Sequence, residues 1–132
     1  MAAYVGKNAY IAFGGTALQA DYRTFEWSET IGVEDGSAGS DAWVRQIQTL
    51  TTGNASLTLR GIAGTAGTAT WAVMLPGAEG TLEYGPEGTS SNNRRLYVNA
   101  FVESRAEPLA YAGVTEWNFT FAFDGDVTDT VY

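Results

Sequence analysis

With 132 residues, 45% of them hydrophobic and 13% aromatic, the chain has material for one packed core and too much apolar content for a disordered segment. It contains no cysteine and no histidine, which excludes disulfide frameworks, thiol nucleophiles, zinc sites built on thiolate or imidazole, and every triad with an imidazole base. The net charge of -8 repels polyphosphate, and Arg94-Arg95 is the single adjacent basic pair, so neutralisation of nucleic-acid phosphates is not expected.

In chain order, short segments with period-two or mixed apolar patterns recur between glycine-rich turns, the pattern of an all-β sandwich or barrel. Residues 10–13 and 22–27 are the first two strands; in the second, Phe25 and Trp27 face the core and Glu26 faces outward. Residues 28–42, with Gly32, Glu34, Asp35, Gly36, Gly39 and Asp41, read as a long loop, which in a compact domain is functional or disordered. Residues 43–50 fit a strand or a helical stripe through Trp43, Val44, Ile47 and Leu50 with Ser40 as cap. The strand is preferred, because Thr51-Thr52-Gly53-Asn54 reads as a turn that folds this segment back on residues 54–60 as a hairpin. There Ala55, Leu57 and Leu59 share one face, and Ser56, Thr58 and Arg60 the other.

Residues 61–70 form a Gly/Ala/Thr tract leading into a short helix over 69–75, stopped by Pro76 and Gly77. So short a helix cannot persist alone in water, so Trp71, Val73, Met74 and Leu75 are expected to be partly buried. Residues 81–84 read as a strand ending in the Gly85-Pro86-Glu87-Gly88 turn. Residues 94–104 form another strand, with Leu96, Val98, Ala100 and Val102 on one face and a partly apolar second face, as expected of a strand covered on both sides. In residues 114–123, Trp117, Phe119, Phe121 and Phe123 make an aromatic face that anchors the core.

Chemical signals are weak. Asp124-Gly125-Asp126-Val127-Thr128-Asp129 alternates acids as a calcium loop does, but lacks the sixth-position glycine and the distal glutamate of an EF-hand, so a solvated acidic tail is the better reading. Trp27, Trp43, Trp71 and Trp117 could line a sugar platform, yet tryptophan in a small β domain is more often core or interface. No pair of acids is singled out for glycoside hydrolysis, and neither glycine-rich turn has the context of a phosphate cradle. Neither an enzymatic site nor a cofactor is expected. The longest uninterrupted aliphatic or aromatic run spans residues 71–75, and the first eight residues lack the apolar core of a secretory signal; a soluble protein made in the cytosol is expected.

The segments Gly6-Lys7-Asn8-Ala9-Tyr10-Ile11-Ala12-Phe13, 21–27, 39–43, 71–89 and the aromatic 116–123 together resemble the tail tube, or major tail, proteins of long-tailed phages, and the resemblance covers nearly the whole chain. It implies a single mainly β domain over 1–132, a two-sheet sandwich or barrel with one short helix near 69–75. It further implies subunits that form hexameric rings stacked into a hollow conduit for genome delivery, with secretion-system tube proteins similar in fold. Virion assembly in the host cytoplasm, tape-measure and other tail proteins as partners, DNA passing the lumen without specific binding, and no membrane would follow. An acidic chain suits such a conduit. On this reading, the loop 28–42 and a terminal arm 124–132 order on assembly. Glu34, Asp35, Asp41 and Trp43 are then candidates for contacts between rings, Val131 and Tyr132 for a terminal anchor, and Gln46, Gln48, Ser56 and Thr58 for the lumen. The competing reading is a small carbohydrate- or surface-binding β-sandwich, such as a capsid decoration or adhesion module. A metal-assisted hydrolase using Asp124 and Asp126 ranks last.

Overall fold

The computed structural model describes residues 5–109 and 111–132. After a 3-10 turn (Gly6–Asn8) the elements run β1 (Tyr10–Phe13), β2 (Thr16–Ala17), β3 (Tyr22–Asp35), β4 (Gln46–Arg60), α1 (Gly64–Val73), β5 (Glu79–Gly85), β6 (Arg94–Ala106), β7 (Glu116–Phe123) and β8 (Thr128–Val131). The mainly β architecture with one helix is as the sequence implies. The strands form one open antiparallel sheet in the order β2-β1-β5-β6-β7-β4-β3, with β8 also paired to β6. Hydrogen bonding therefore links what the sequence suggested as two sheets into one. The reason is the length of β6: Leu96 to Phe101 pair with β5, while Ala100 to Ala106 pair with β7 across a bulge between Val102 and Ser104.

The sheet rolls over itself. β3 and β5 lie four positions apart in the order, about 19 Å in a flat sheet at the usual interstrand spacing. Yet the Phe25 ring of β3 is 4.7 Å from the Tyr84 ring of β5, and Phe13 of β1 is 5.0 Å from Phe121 of β7. The core fills this roll, with Ile11, Leu57, Leu59, Leu82, Val98, Val102, Phe119 and Phe121 all buried. Strands β4, β6 and β7 supply most of it, on the alternating positions that the sequence marks.

Four local expectations are corrected. Residues 28–35 are not loop: they continue β3, paired from Ser28↔Asn54 to Asp35↔Gln46. Residues 51–54 are not a turn either, but the middle of the fifteen-residue β4. Gly53 is there for close approach, since a Cβ at this position would collide with the ring of Phe123. The helix starts earlier than expected, at Gly64, and ends at Val73, with Gly67 its buried residue; of the four side chains expected to be partly buried, Met74 is fully buried, Trp71 half-buried, and Val73 and Leu75 exposed. Trp71 holds it down through rings 5.1 Å from Trp117 and 5.9 Å from Phe119, while Thr68 and Thr70 donate their hydroxyls to the carbonyls of Gly64 and Ala66. Finally, residues 124–132 are no arm. Thr128 to Val131 pair with β6 from Tyr97 to Arg94, and Asn92 and Tyr132 donate their N–H groups to the Tyr132 and Asn93 carbonyls.

Candidate assembly surface

The β3–β4 hairpin is longer than the body it belongs to. From Tyr22 to Ser28 it lies on the roll, with Phe25 and Trp27 against the core. Beyond Ser28↔Asn54 it runs out from the roll, flanked only at its start by Phe123 and residues 125–127 among the described residues: Glu29 to Asp35 are exposed apart from half-buried Gly32, and Gln46 to Thr52 are exposed throughout. Seven residues of strand make this arm roughly 24 Å long. Its strands show Ile31, Val33, Ile47 and Leu50 to solvent, and its tip adds Trp43 at 86% and Val44 at 73% exposure. Such apolar side chains on a two-stranded ribbon are a marker of an interaction surface.

The tip is already folded. Asp35 Oδ1 accepts the Ser37 N–H at 2.8 Å, Gly36 N–H donates to the Arg45 carbonyl at 2.7 Å, and Arg45 N–H donates to Ser37 Oγ at 2.8 Å. Asp41 accepts the Ala38 N–H at 2.7 Å and the Arg45 Nε–H at 3.0 Å. The Ser37 backbone N–H, then its hydroxyl, hold the Asp35 carboxyl below its ordinary value against a small opposing effect of burial. Asp35 and Asp41 thus shape the tip, while Glu34 and Trp43 are displayed at it. The sequence expectation of an arm without internal order does not describe this loop.

The four lumen candidates are divided by a bulge. Ile31 pairs with Thr51 but Val33 pairs with Gln48, so β4 carries an extra residue there and its alternation flips. Gln46 and Gln48 consequently share the face of Asp35 and Val33, whereas Ser56 and Thr58 share the opposite face with Glu26 and Thr24. On that second face the opposed pairs are Thr24↔Thr58, Glu26↔Ser56, Ser28↔Asn54 and Thr30↔Thr52, and β7 extends it through Asn118 and Thr120. Thr58 Oγ1 donates to Asn118 Oδ1 at 2.9 Å.

Val131 is exposed, and Tyr132 folds back onto the sheet. The Arg95 guanidinium lies 5.6 Å from the Tyr132 ring and 4.7 Å from that of Tyr97, and its Nε donates to Glu83 at 2.6 Å. The Tyr132 hydroxyl is buried beside the Glu83 carboxylate without a well-formed hydrogen bond among the described residues, and a Cβ on Gly85 would lie 2.7 Å from it. Burial first, and the Glu83 carboxylate second, push its pKa up to about 12, with Arg95 pulling the other way.

The chemistry of the competing readings is not assembled. Trp117 is buried, Trp27 and Trp71 pack against the core, and Trp43 alone among the four tryptophans is fully displayed, so there is no indole platform for a sugar. Asp124 and Asp126 are exposed, and among the described residues no three acids converge on a common point. The one helix is neither long nor apolar enough to cross a membrane.

No family model and no curated protein matches the chain. Solved structures do. The SPP1 tail tube is similar with a TM-score of 0.79 at 16% identity, over 98% of this chain and 80% of that one. The chain has the tail-tube fold. A chain from the tail of an empty gene transfer agent particle, refined with C6 symmetry, shares this fold with a TM-score of 0.77 at 11% identity, over 98% and 100% of the two chains. A chain from the sheath-tube complex of the PVC extracellular contractile injection system follows with a TM-score of 0.74 at 13% identity, over 98% and 93%.

Two parts of the exposed surface escaped the sequence reading. Ile31 and Val33 continue the odd-numbered phase of Phe25 and Trp27, and that phase was the signal that β3 runs on through 35. Leu109, Tyr111 and Val114 in the β6–β7 loop are exposed as well, and no periodicity marks them.

Proposed function

We propose that the chain is a structural subunit of a phage-type tail tube, forming six-membered rings that stack into a hollow conduit for genome delivery, within a virion tail assembled in the host cytoplasm. The observation that carries this reading is the pre-folded, apolar, exposed β3–β4 arm on a tail-tube fold, because a lone soluble subunit gains nothing by holding Trp43, Val44, Ile47 and Leu50 in water. The six-fold order is taken from the gene transfer agent tail. The polar face of Thr24, Glu26, Ser28, Asn54, Ser56 and Thr58 suits the channel wall: it is wet, Glu26 is an acid that will not hold DNA phosphates, and Arg60 at its edge is paired with Asp21. Gln46 and Gln48, on the other face, belong to the arm and not to this wall. Tape-measure and other tail proteins would be the partners, and DNA a passing cargo.

Negative-stain microscopy of the purified protein across a concentration series tests the proposal. Rings and stacked tubes are expected as concentration rises, since ring stacking repeats a heterologous, open-ended contact. Monomers alone, or a closed dimer, at the highest concentration would overturn it.

A further inference from the structure

Near the base of the hairpin, where β4 passes into α1, lies a cavity of about 580 Å³ whose lining includes Ile62, Gly67, Trp71, Leu75, Arg105 and Trp117. It is mostly apolar, with Thr68 and two charged groups, Arg105 and Glu107, in its lining. The Arg105 guanidinium sits 4.3 Å over the Trp71 ring and donates to the Trp71 carbonyl at 2.7 Å. The Glu107 carboxylate accepts the Trp117 indole N–H. Among the described residues Arg105 has no carboxylate within ion-pair distance, so it is a half-buried cation without a counter-charge. Leu75 stands 55% exposed at the mouth.

The displayed arm tip has the complementary chemistry: an exposed indole at Trp43, aliphatic Ile47 and Leu50, and Glu34 without a cationic partner among the described residues, directly opposite Ile47 in the register. It cannot serve its own cavity. Tip and cavity lie at opposite ends of β4, whose fifteen residues span roughly 45 Å. Two complementary surfaces at opposite ends of one extended strand meet only between copies, and the contact repeats without closing on itself.

Resting on the tail-tube reading, we propose that this cavity is the acceptor for the arm tip of a second copy of the chain, with Trp43 seated beside Trp71 and Trp117 and Glu34 facing Arg105. A cavity of this size is within the ~300–1,000 Å³ range of sites that enclose a sizeable ligand, and tryptophan and arginine are the residue types that dominate interface energetics.

The absence of cysteine makes the test clean. In a Val44→Cys, Leu75→Cys double variant, which keeps the Trp43 indole, a short bis-maleimide is expected to convert assembled protein into a covalent ladder, whereas Val44→Cys with Ser90→Cys, in the loop before β6, gives none. Trp43→Ala is expected to raise the protein concentration at which tubes appear at least ~10-fold. Glu34→Arg alone and Arg105→Glu alone are expected to block tube formation, and the two together to restore it. Tubes from Trp43→Ala at the parental concentration, with no ladder from the 44–75 pair, would overturn this acceptor while leaving the tail-tube reading intact. A covalent dimer from Leu75→Cys alone would overturn it in favour of a cavity-to-cavity contact. Monomers under every condition would overturn both.

Discussion

The two halves of the β3–β4 hairpin share one continuous ladder and differ in everything else. In the proximal half Phe25, Trp27, Ala55, Leu57 and Leu59 close over the core; in the distal half Ile31 and Val33 continue the phase of Phe25 and Trp27 yet touch water, as do Leu50 in the bulge and Ile47 on the other face. Backbone pairing is therefore not what distinguishes fold from function here. The distal half keeps the ladder and a hydrogen-bonded tip, and lacks only a partner for its apolar side chains. A two-stranded ribbon is marginal by itself, so the arm depends on the proximal half to hold its register.

This contrast can be broken most forcefully in the core. Leu57→Ala is expected to cost the isolated subunit about 2–5 kcal/mol, while Leu50→Ala, seven residues earlier on the same strand, changes it by less than ~0.5 kcal/mol. Urea denaturation of the non-assembled protein measures both, and equal losses would mean that the distal half is packed in solution. A smaller effect is expected at the boundary between the halves. Gly53→Ala pushes a methyl group into the Phe123 ring and should lower stability by about 1–3 kcal/mol, read as a shift in the same denaturation midpoint.

The smallest effect lies away from the arm, at Tyr132. The folded state holds the phenol proton more tightly than the unfolded chain, with a pKa near 12 against 10.0, so the associated stability is complete below about pH 10 and drains away as the pH rises toward 12. Tyr132→Phe removes a buried hydroxyl that has no well-formed hydrogen bond among the described residues, so its melting temperature at pH 7 should equal or slightly exceed the parent's. Between pH 10 and 12 it should fall less steeply. A variant that melts lower at pH 7 would show that the hydroxyl is bonded after all.

Much of the core was legible in the sequence because period-two alternation and burial have the same cause: Leu57, Leu59, Val98, Phe119 and Phe121 alternate because one side of each strand is dry. The arm was only half legible. Gly32, Gly36 and Gly39 read as loop residues. Yet Gly32 within β3 and Gly36 just past its end sit where a Cβ would run into the side chains of Thr49 and Ile47, so two of the three serve close packing of the ribbon. The displayed residues Glu34 and Trp43 could be nominated from their setting, whereas the roles of Asp35 and Asp41 could not. Their carboxylates look free in a linear sequence and are engaged by Ser37, Ala38 and Arg45 once the tip closes. The cavity beside α1 was illegible altogether, because it is made by Trp71, Arg105 and Trp117, which three separate elements bring together.

By itself the sequence determined the class of the molecule: a cysteine- and histidine-free, acidic, mainly β domain with an aromatic last core strand and one helix. Only the tertiary structure decided how those strands divide between body and arm, where the bulge in β4 flips one face to the other, and that residues 124–132 dock on β6. The physical reason is that alternation reports which residues could be buried together, while the partner that buries them, or leaves them for another copy, is a long-range property of the sheet's path.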